Sequence, residues 1–507
     1  MSDLILGFRI FMYQLVRAAD LVFVHLSAPK FLASRHLRTA GRASRRLSWG
    51  VADQGMSSLT NFLLSAFVAR SLGAAEFGAF SLAYVTYGLG INASRGLAVE
   101  PLLIRFSDTS LPAWRRACAG AAGTALLVGI AGGLLGIVAG ALVGGTTGKA
   151  FIALGLTLPG LLLQDSWRYA FFAVGKGYHA FINDTVWAAV QIPLLILLKE
   201  TGHAEVFWFV LAWGGAACVG AVLGSVQAKV LPSLPQAWHW LRRHRDLGPR
   251  YLVENTGGNA VDSLRAYSVT RILGLAAVGL IQAAGVLMGP FKIIYYGISL
   301  LTIPEAARLL RRTPRLLSLF CVAVSAGLTV LALAWGVLLL IALPHGLGHL
   351  LLGNLWRPTY PLVLPTMFSV MAMCAGTGAN VGLHALGAAR RSMRNALRTA
   401  VIIVAGAIVG ALVAGTLGSV WFAAAASWIG VLIAWWQLKL ALHDSGLRLA
   451  GDWLRPHPEA AESEAATDEA TTPEAVAADH PADVATGDGA AEATADDGPS
   501  PAEKASR

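Results

Sequence analysis

Charge is what this chain has least of. Asp, Glu, Lys and Arg make up 13% of its 507 residues, about half the ~25% of an ordinary soluble domain. The apolar types AVILMFWYC make up 55%. A soluble fold has no interior large enough for that much apolar surface, which leaves a chain embedded in a membrane. Cysteine is scarce too. Cys118, Cys218, Cys321 and Cys374 all lie in apolar stretches without CxxC spacing, so no disulfide framework is implied. Catalytic motifs are missing: there is no HExxH, and 144–150 reads Gly-x-x-x-Gly-Lys-Ala. That is a phosphate loop one residue short, without the hydroxyl that would hold magnesium. His345 and His349 alone are too few for a metal site. No catalytic residue, metal or cofactor is expected, and the chain reads as a non-enzyme.

The charge that is present is unevenly placed. Residues 456–507 hold 13 Asp/Glu against 2 Lys/Arg, a net of −11, so the rest holds 37 Lys/Arg against 16 Asp/Glu, a net of +21. The overall +10 averages two unlike regions and does not point to nucleic acid. The tail is rich in Ala, Thr, Pro and acid, a composition that predicts disorder.

A bilayer span needs ~20 mostly apolar helical residues. Stretches 117–148, 206–228, 316–356, 358–389 and 399–438 contain no Asp, Glu, Lys or Arg. The last is long enough for two spans with a turn near 415–419. With the more polar candidates between them, twelve spans are expected near 49–69, 78–104, 117–143, 150–173, 178–198, 205–227, 251–270, 276–303, 316–343, 358–388, 399–415 and 418–440. Alternate loops carry the basic residues: Arg115 and Arg116; Lys176; Arg242, Arg243, Arg245 and Arg250; Arg308, Arg311, Arg312 and Arg315; Arg390, Arg391, Arg394 and Arg398. Basic short loops stay in the cytoplasm. Twelve spans put all of these loops, and both termini, on that side of the cell (inner or plasma) membrane.

The expected organisation is a basic cytoplasmic or interfacial arm at 1–48, a six-helix bundle at 49–227, a basic cytoplasmic linker at 228–250, a second six-helix bundle at 251–445, and an acidic cytoplasmic tail at 446–507. An internal repeat supports the two bundles. Arg70-x-Leu72-Gly73-x-Ala75-x-x-Gly78 recurs 201 residues later as Arg271-x-Leu273-Gly274-x-Ala276-x-x-Gly279, and continues through Ala83/Ala284 and Gly88/Gly289. At offset 212, Ala173/Ala385, Gly175/Gly387 and Asn183/Asn395 agree. Six spans per half is an even number. The halves then share one orientation and are related by a pseudo-two-fold along the membrane normal, with the substrate path between them. The fold class is all-α, a polytopic membrane protein of about twelve transmembrane helices in two six-helix bundles.

An ionised side chain at a helix centre costs roughly 2.5–3.5 kcal/mol on insertion scales, so the few inside the spans are candidates either for function or for internal salt bridges that hold helices together. Asp165–Arg168 and Asp262–Arg265 both read Asp-Ser-x-Arg. Acid and base at i,i+3 share a helix face and can pair. Arg95 and Lys292 have no acid at helical spacing and are expected at a cavity. Asp53, Glu100 and Glu254 fall near expected cytoplasmic ends, where snorkelling or loop capping accounts for them, and Asp184 near a cytoplasmic helix start.

Three segments resemble the Wzx-type polysaccharide flippases of the multidrug/oligosaccharidyl-lipid/polysaccharide (MOP) exporter superfamily. They are 57–90, with Asn61, Ala69-Arg70-x-Leu72-Gly73 and Glu76-Phe77-Gly78; Glu100-Pro101-Leu102-Leu103-Ile104-Arg105; and Gln164-Asp165-x-x-Arg168-Tyr169-x-x-Phe172-Ala173-x-Gly175. The resemblance covers roughly 48–445. It implies a MATE-like fold and a flippase that carries a saccharide on a polyprenyl diphosphate from the cytoplasmic to the outer leaflet by alternating access. Membrane lipids, and a polysaccharide polymerase or glycosyltransferases, are the implied partners. Cationic side chains suit that anionic headgroup. Arg95, Arg265, Arg168 and Lys292 are therefore expected to bind it, and Asp165 and Asp262 to orient them or to couple transport to H+ or Na+. The alternatives are a MATE-like antiporter of cationic drugs or small solutes, and a non-transporting scaffold for envelope enzymes.

Overall fold

The computed structural model describes residues 35–107 and 109–447, without the side chains of 35–47, 254, 257–259, 300, 301 and 389. The expectations for the chain before 35, for the acidic tail beyond 447 and for the Glu254 side chain lie outside these residues. Every regular element among the described residues is helical.

The first half holds α1 (Arg35–Ser71), α2 (Ala74–Ser94), α3 (Glu100–Phe106), α4 (Leu111–Val143), α5 (Gly145–Ala173), α6 (Gly177–Glu200) and α7 (Val206–Ala228). A π-helical turn, Arg95–Val99, joins α2 and α3 into one rod. The short α8 (Leu234–Arg243) links to the second half. There follow α9 (Gly248–Leu273), α10 (Leu275–Leu287), α11 (Gly289–Arg312), α12 (Leu317–Ala342), α13 (Gly348–Leu352), α14 (Trp356–Ala385) and α15 (Ala389–Asp444). Each half therefore has six rods among the described residues. In the second half α10 and α11 make one, and α15 makes two because Ala414 and Gly415 (φ 62°) leave the helical region. α13, a single turn, caps one end.

Two spans differ from their sequence reading. The rod expected over 276–303 breaks at Met288, because Pro290 in the first turn of α11 has no N–H to give the preceding turn. The rod expected to begin near 49 begins at Arg35, so the last residues of the basic arm continue the first helix.

Among the described residues seven helical runs are long and apolar enough to cross a membrane, and two of these, Pro314–Ala385 and Arg390–Asp444, are each long enough for two rods. The outer faces of α4 and α15 carry exposed Leu135, Leu142, Val413 and Leu432, the side chains a bilayer solvates. α1 and α9 are the more polar rods. Glycine lets α4 and α5 touch along their length: Gly133 packs on the Gly155 backbone and Gly140 on Gly148, the small-residue packing that holds membrane helices together.

The sequence repeat reappears in the backbone. Gly175 and Gly387 both have φ 69°. Gly175 N–H donates to Phe172 O at 3.0 Å and Lys176 N–H to Phe171 O at 2.9 Å; 212 residues on, Gly387 N–H donates to His384 O at 3.0 Å and Ala388 N–H to Leu383 O at 2.9 Å. The same left-handed cap thus ends α5 and α14. The offset-201 repeat is reciprocal: Gly78 of α2 packs on the Leu275 carbonyl, and Gly279 of α10 on the Ala74 carbonyl. Leu275 and Ala74 are themselves repeat partners, so a pseudo-two-fold axis passes between α2 and α10.

Consecutive rods reverse direction. One end of the molecule gathers the arginine-rich loops and the other the charge-poor ones. At the charge-poor end Lys149 Nζ pairs with Glu205 Oε2 at 3.3 Å, and Arg70 Nη1 donates to Leu350 O at 3.0 Å across the two halves.

Candidate functional site

Between the halves lies a cavity of about 640 Å³. α1 contributes Ser58, Asn61 and Ser65; α2 contributes Tyr84; α9 contributes Asp262 and Arg265; α10 contributes Gln282; α11 contributes Lys292 and Tyr296; α14 and α15 close the far wall. The two most polar rods, α1 and α9, thus both line the cavity. Asp262 Oδ1 and Arg265 Nη2 stand 3.6 Å apart, with Asp262 65% and Arg265 35% exposed. The i,i+3 pairing read from the sequence therefore forms, loosely, and leaves the Arg265 guanidinium facing the cavity. Lys292 is half-buried and makes no ion pair within 4 Å among the described residues. The charged lining amounts to two cations and one anion.

Arg95, Arg168 and Asp165 lie elsewhere, in a network inside the first half. Arg95 Nε and Nη2 donate to Asp165 Oδ2 at 2.9 Å and Oδ1 at 2.7 Å, the two-pronged geometry that suits guanidinium and carboxylate. The Arg95 guanidinium carbon also sits 4.8 Å from the Tyr169 ring centroid. Arg168 Nε donates to Asp53 Oδ2 at 2.5 Å and lies 3.5 Å from Asp184 Oδ2, while Arg168 Nη2 reaches Gln54 Oε1 at 3.3 Å. Gln164 Nε2 donates to Asp184 Oδ1 at 2.8 Å. Asn183 Nδ2 donates to the Gly220 carbonyl at 2.8 Å.

Three sequence expectations are corrected here. Asp165 and Arg168 share a helix but do not bond to each other; each takes a partner on a neighbouring rod. Arg95 is paired. Asp53 and Asp184 are buried, not snorkelling at helix ends. One physical reason covers all three: in an apolar interior a charge needs a hydrogen-bonded counter-charge, and the nearest one lies across a helix–helix contact. Three carboxylates face two guanidiniums, and Asp53 Oδ1 and Asp184 Oδ2 accept no hydrogen bond among the described residues. The network thus carries one carboxylate more than it neutralises.

Sequence reasoning missed Gln54, Gln164 and Asn183 as members of this network. The available signal was an amide beside an acid inside an expected span, Gln164-Asp165 and Asn183-Asp184. An aromatic cluster extends from the cavity: Tyr84, in its lining, is 6.1 Å from Tyr87 and 5.4 Å from Trp213 between ring centroids.

No protein-family model matches this chain, and no curated protein sequence does. Solved structures do match in fold. An inward-facing multidrug resistance MATE family transporter of the MOP superfamily superposes with a TM-score of 0.60 at 12% identity, covering 76% of this chain and 95% of that one. The lipid II flippase MurJ, in an inward closed conformation, superposes with a TM-score of 0.59 at 11% identity, covering 78% and 87%. The chain has the all-α, polytopic fold of MOP-superfamily transporters.

Proposed function

We propose that this protein is a membrane flippase that carries a polyprenyl-diphosphate-linked saccharide from the cytoplasmic to the outer leaflet by alternating access, for cell-surface polysaccharide assembly. The observation that carries the reading is the lining of the central cavity. Arg265 offers planar donors and Lys292 a point charge for a diphosphate. Asn61 and Gln282 match sugar hydroxyls, and Tyr84 and Tyr296 offer aromatic faces to the apolar faces of a sugar ring. The prenyl tail stays in lipid while the headgroup crosses between the halves.

Arg95 and Arg168, already paired with carboxylates, serve the second task. The network of Asp53, Asp165 and Asp184 holds one uncompensated carboxylate, which a proton or a sodium ion neutralises. Coupling to such a gradient through this network, with Asp262 orienting Arg265 at the cavity, supplies the direction of transport. Both termini and the arginine-rich loops face the cytoplasm on this reading, where glycosyltransferases deliver the lipid-linked sugar; a polymerase takes it up outside.

The test is flipping in proteoliposomes of a fluorescent prenyl-diphosphate oligosaccharide. A hydrogen bond to a charged group contributes about 1.5–3 kcal/mol, so Arg265→Ala and Lys292→Ala are each expected to slow flipping about tenfold or more, and Lys292→Arg to retain it. Wild-type flipping by the double Ala variant would sink the assignment. A second reading, an antiporter of organic cations, draws on the exposure of Asp262 to the cavity. It requires cation flux that Asp262→Asn abolishes and the double Ala variant leaves intact.

A further inference from the structure

The π turn Arg95–Val99 interrupts a rod in its interior. The other described π segment, Leu343–Leu347, lies in the cap at the charge-poor end. A π turn weakens the regular i→i+4 ladder and persists where neighbours hold it, frequently at functional sites. Three successive residues of this one are held by three different parts of the molecule. Arg95 closes the buried network through Asp165. Gly96 lies directly against the second half: a Cβ there would stand 2.5 Å from Leu252 N, 2.6 Å from Leu252 Cα and 2.8 Å from Tyr251 C. The Leu97 carbonyl accepts a hydrogen bond from Trp240 Nε1 of the linker helix α8 at 3.2 Å. Just beyond, Arg105 at the end of α3 pairs with Asp246 of the same linker at 2.5 Å.

We infer that this π turn mechanically couples the buried ion network of the first half to the seating of the second half, with Gly96 and Trp240 as positioning residues for Arg95. The turn has one backbone and three anchors. When Arg95 leaves Asp165, the turn loses the anchor that fixes its register. A one-residue shift in a helix rotates the downstream residues by about 100°, so the face that Gly96 presents to α9 changes with it. α9 rests on that backbone without an intervening side chain, and it moves in step. Neutralising the network and moving the halves are then two ends of one displacement. The coupling stands apart from the identity of the cargo and is measurable without a transport assay.

The test is a distance between spin labels in nanodiscs. Arg116→Cys labels the first half and Met393→Cys the second, both at exposed positions. Cys218 is replaced by Ala; the other three cysteines are buried. Asp165→Asn and Gly96→Ala are each expected to move the mean distance by about 2 Å, the scale of helix shifts at interfaces, and the double variant to move it no further than the larger single change. Such non-additivity is the signature of one coupled element, and a merely structural role for either residue would not produce it. Trp240→Phe keeps an aromatic ring and removes the N–H, and is expected to move the distance in the same direction by less. An unchanged distance in Asp165→Asn or in Trp240→Phe, or shifts that add in the double variant, overturns the inference. If Asp165→Asn does not fold, Trp240→Phe combined with Gly96→Ala makes the same test.

Discussion

The two halves share a scaffold and differ in where they put charge. In the first half Gln164, Asp165, Arg168 and Asp184 are buried in one network. The positions 212 residues later are Gly376, Thr377, Asn380 and Ala396, and there the Thr377 hydroxyl meets the Tyr295 hydroxyl at 3.0 Å. The second half has its charges at the cavity, as Asp262, Arg265 and Lys292. The positions 201 residues earlier are Asn61, Leu64 and Ile91. What both halves keep is backbone geometry: the left-handed caps at Gly175 and Gly387, and the reciprocal contact of Gly78 and Gly279. The fold rests on those glycines, so its charged residues were free to diverge. One half holds its charges against each other, and the other leaves cations facing open space.

That contrast can be broken in stages. The largest effect on the fold is expected from Arg168→Ala. It leaves Asp53 and Asp184 buried without their guanidinium, a defect that costs about 3–5 kcal/mol. Thermal unfolding in detergent should show it as a large fall in Tm, and an unchanged Tm would erase the distinction between the halves. Next come Gly78→Val and Gly279→Val. Each forces a side chain into a backbone contact, an overpacking worth about 1–3 kcal/mol, and the two losses should be alike because the contact is reciprocal. Clearly unequal losses would break the pseudo-two-fold. The smallest effect on stability is expected from Lys292→Ala, within about 0.5–1 kcal/mol, although it should remove most headgroup flux. A Tm fall as large as that of Arg168→Ala would mean that Lys292 belongs to a structural network after all.

The rods were legible in the sequence because a charge-free run of twenty or more residues has few other fates in a protein. The repeat was legible because glycine at a crossing and at a left-handed cap is dictated by backbone geometry and survives divergence. The breaks were not: nothing local distinguishes Arg95–Val99 from an ordinary helix, and Pro290 reads equally as a kink or as the start of a new helix. The charged residues were found, but their partners were not. Asp165 and Arg168 stand three residues apart and bond to Arg95 and Asp53, 70 and 115 residues distant. Hydrogen-bond partners across helices depend on packing, which no spacing rule along one helix contains. The sequence grouped Arg265 and Lys292 with Arg95 and Arg168, and only the assembled halves show that the first two share a cavity that the other two do not line.

Arg265 and Lys292, two cavity cations against the single carboxylate of Asp262, hold the anionic headgroup in this reading. Its most direct test is the affinity of a short-chain prenyl-diphosphate saccharide for the purified protein, measured by calorimetry on the wild type and on the Arg265→Ala/Lys292→Ala double variant. The wild type is expected to bind it, and the double variant to bind it about tenfold or more weakly. Equal affinity in both, or binding of an organic cation that only Asp262→Asn abolishes, would contradict this reading.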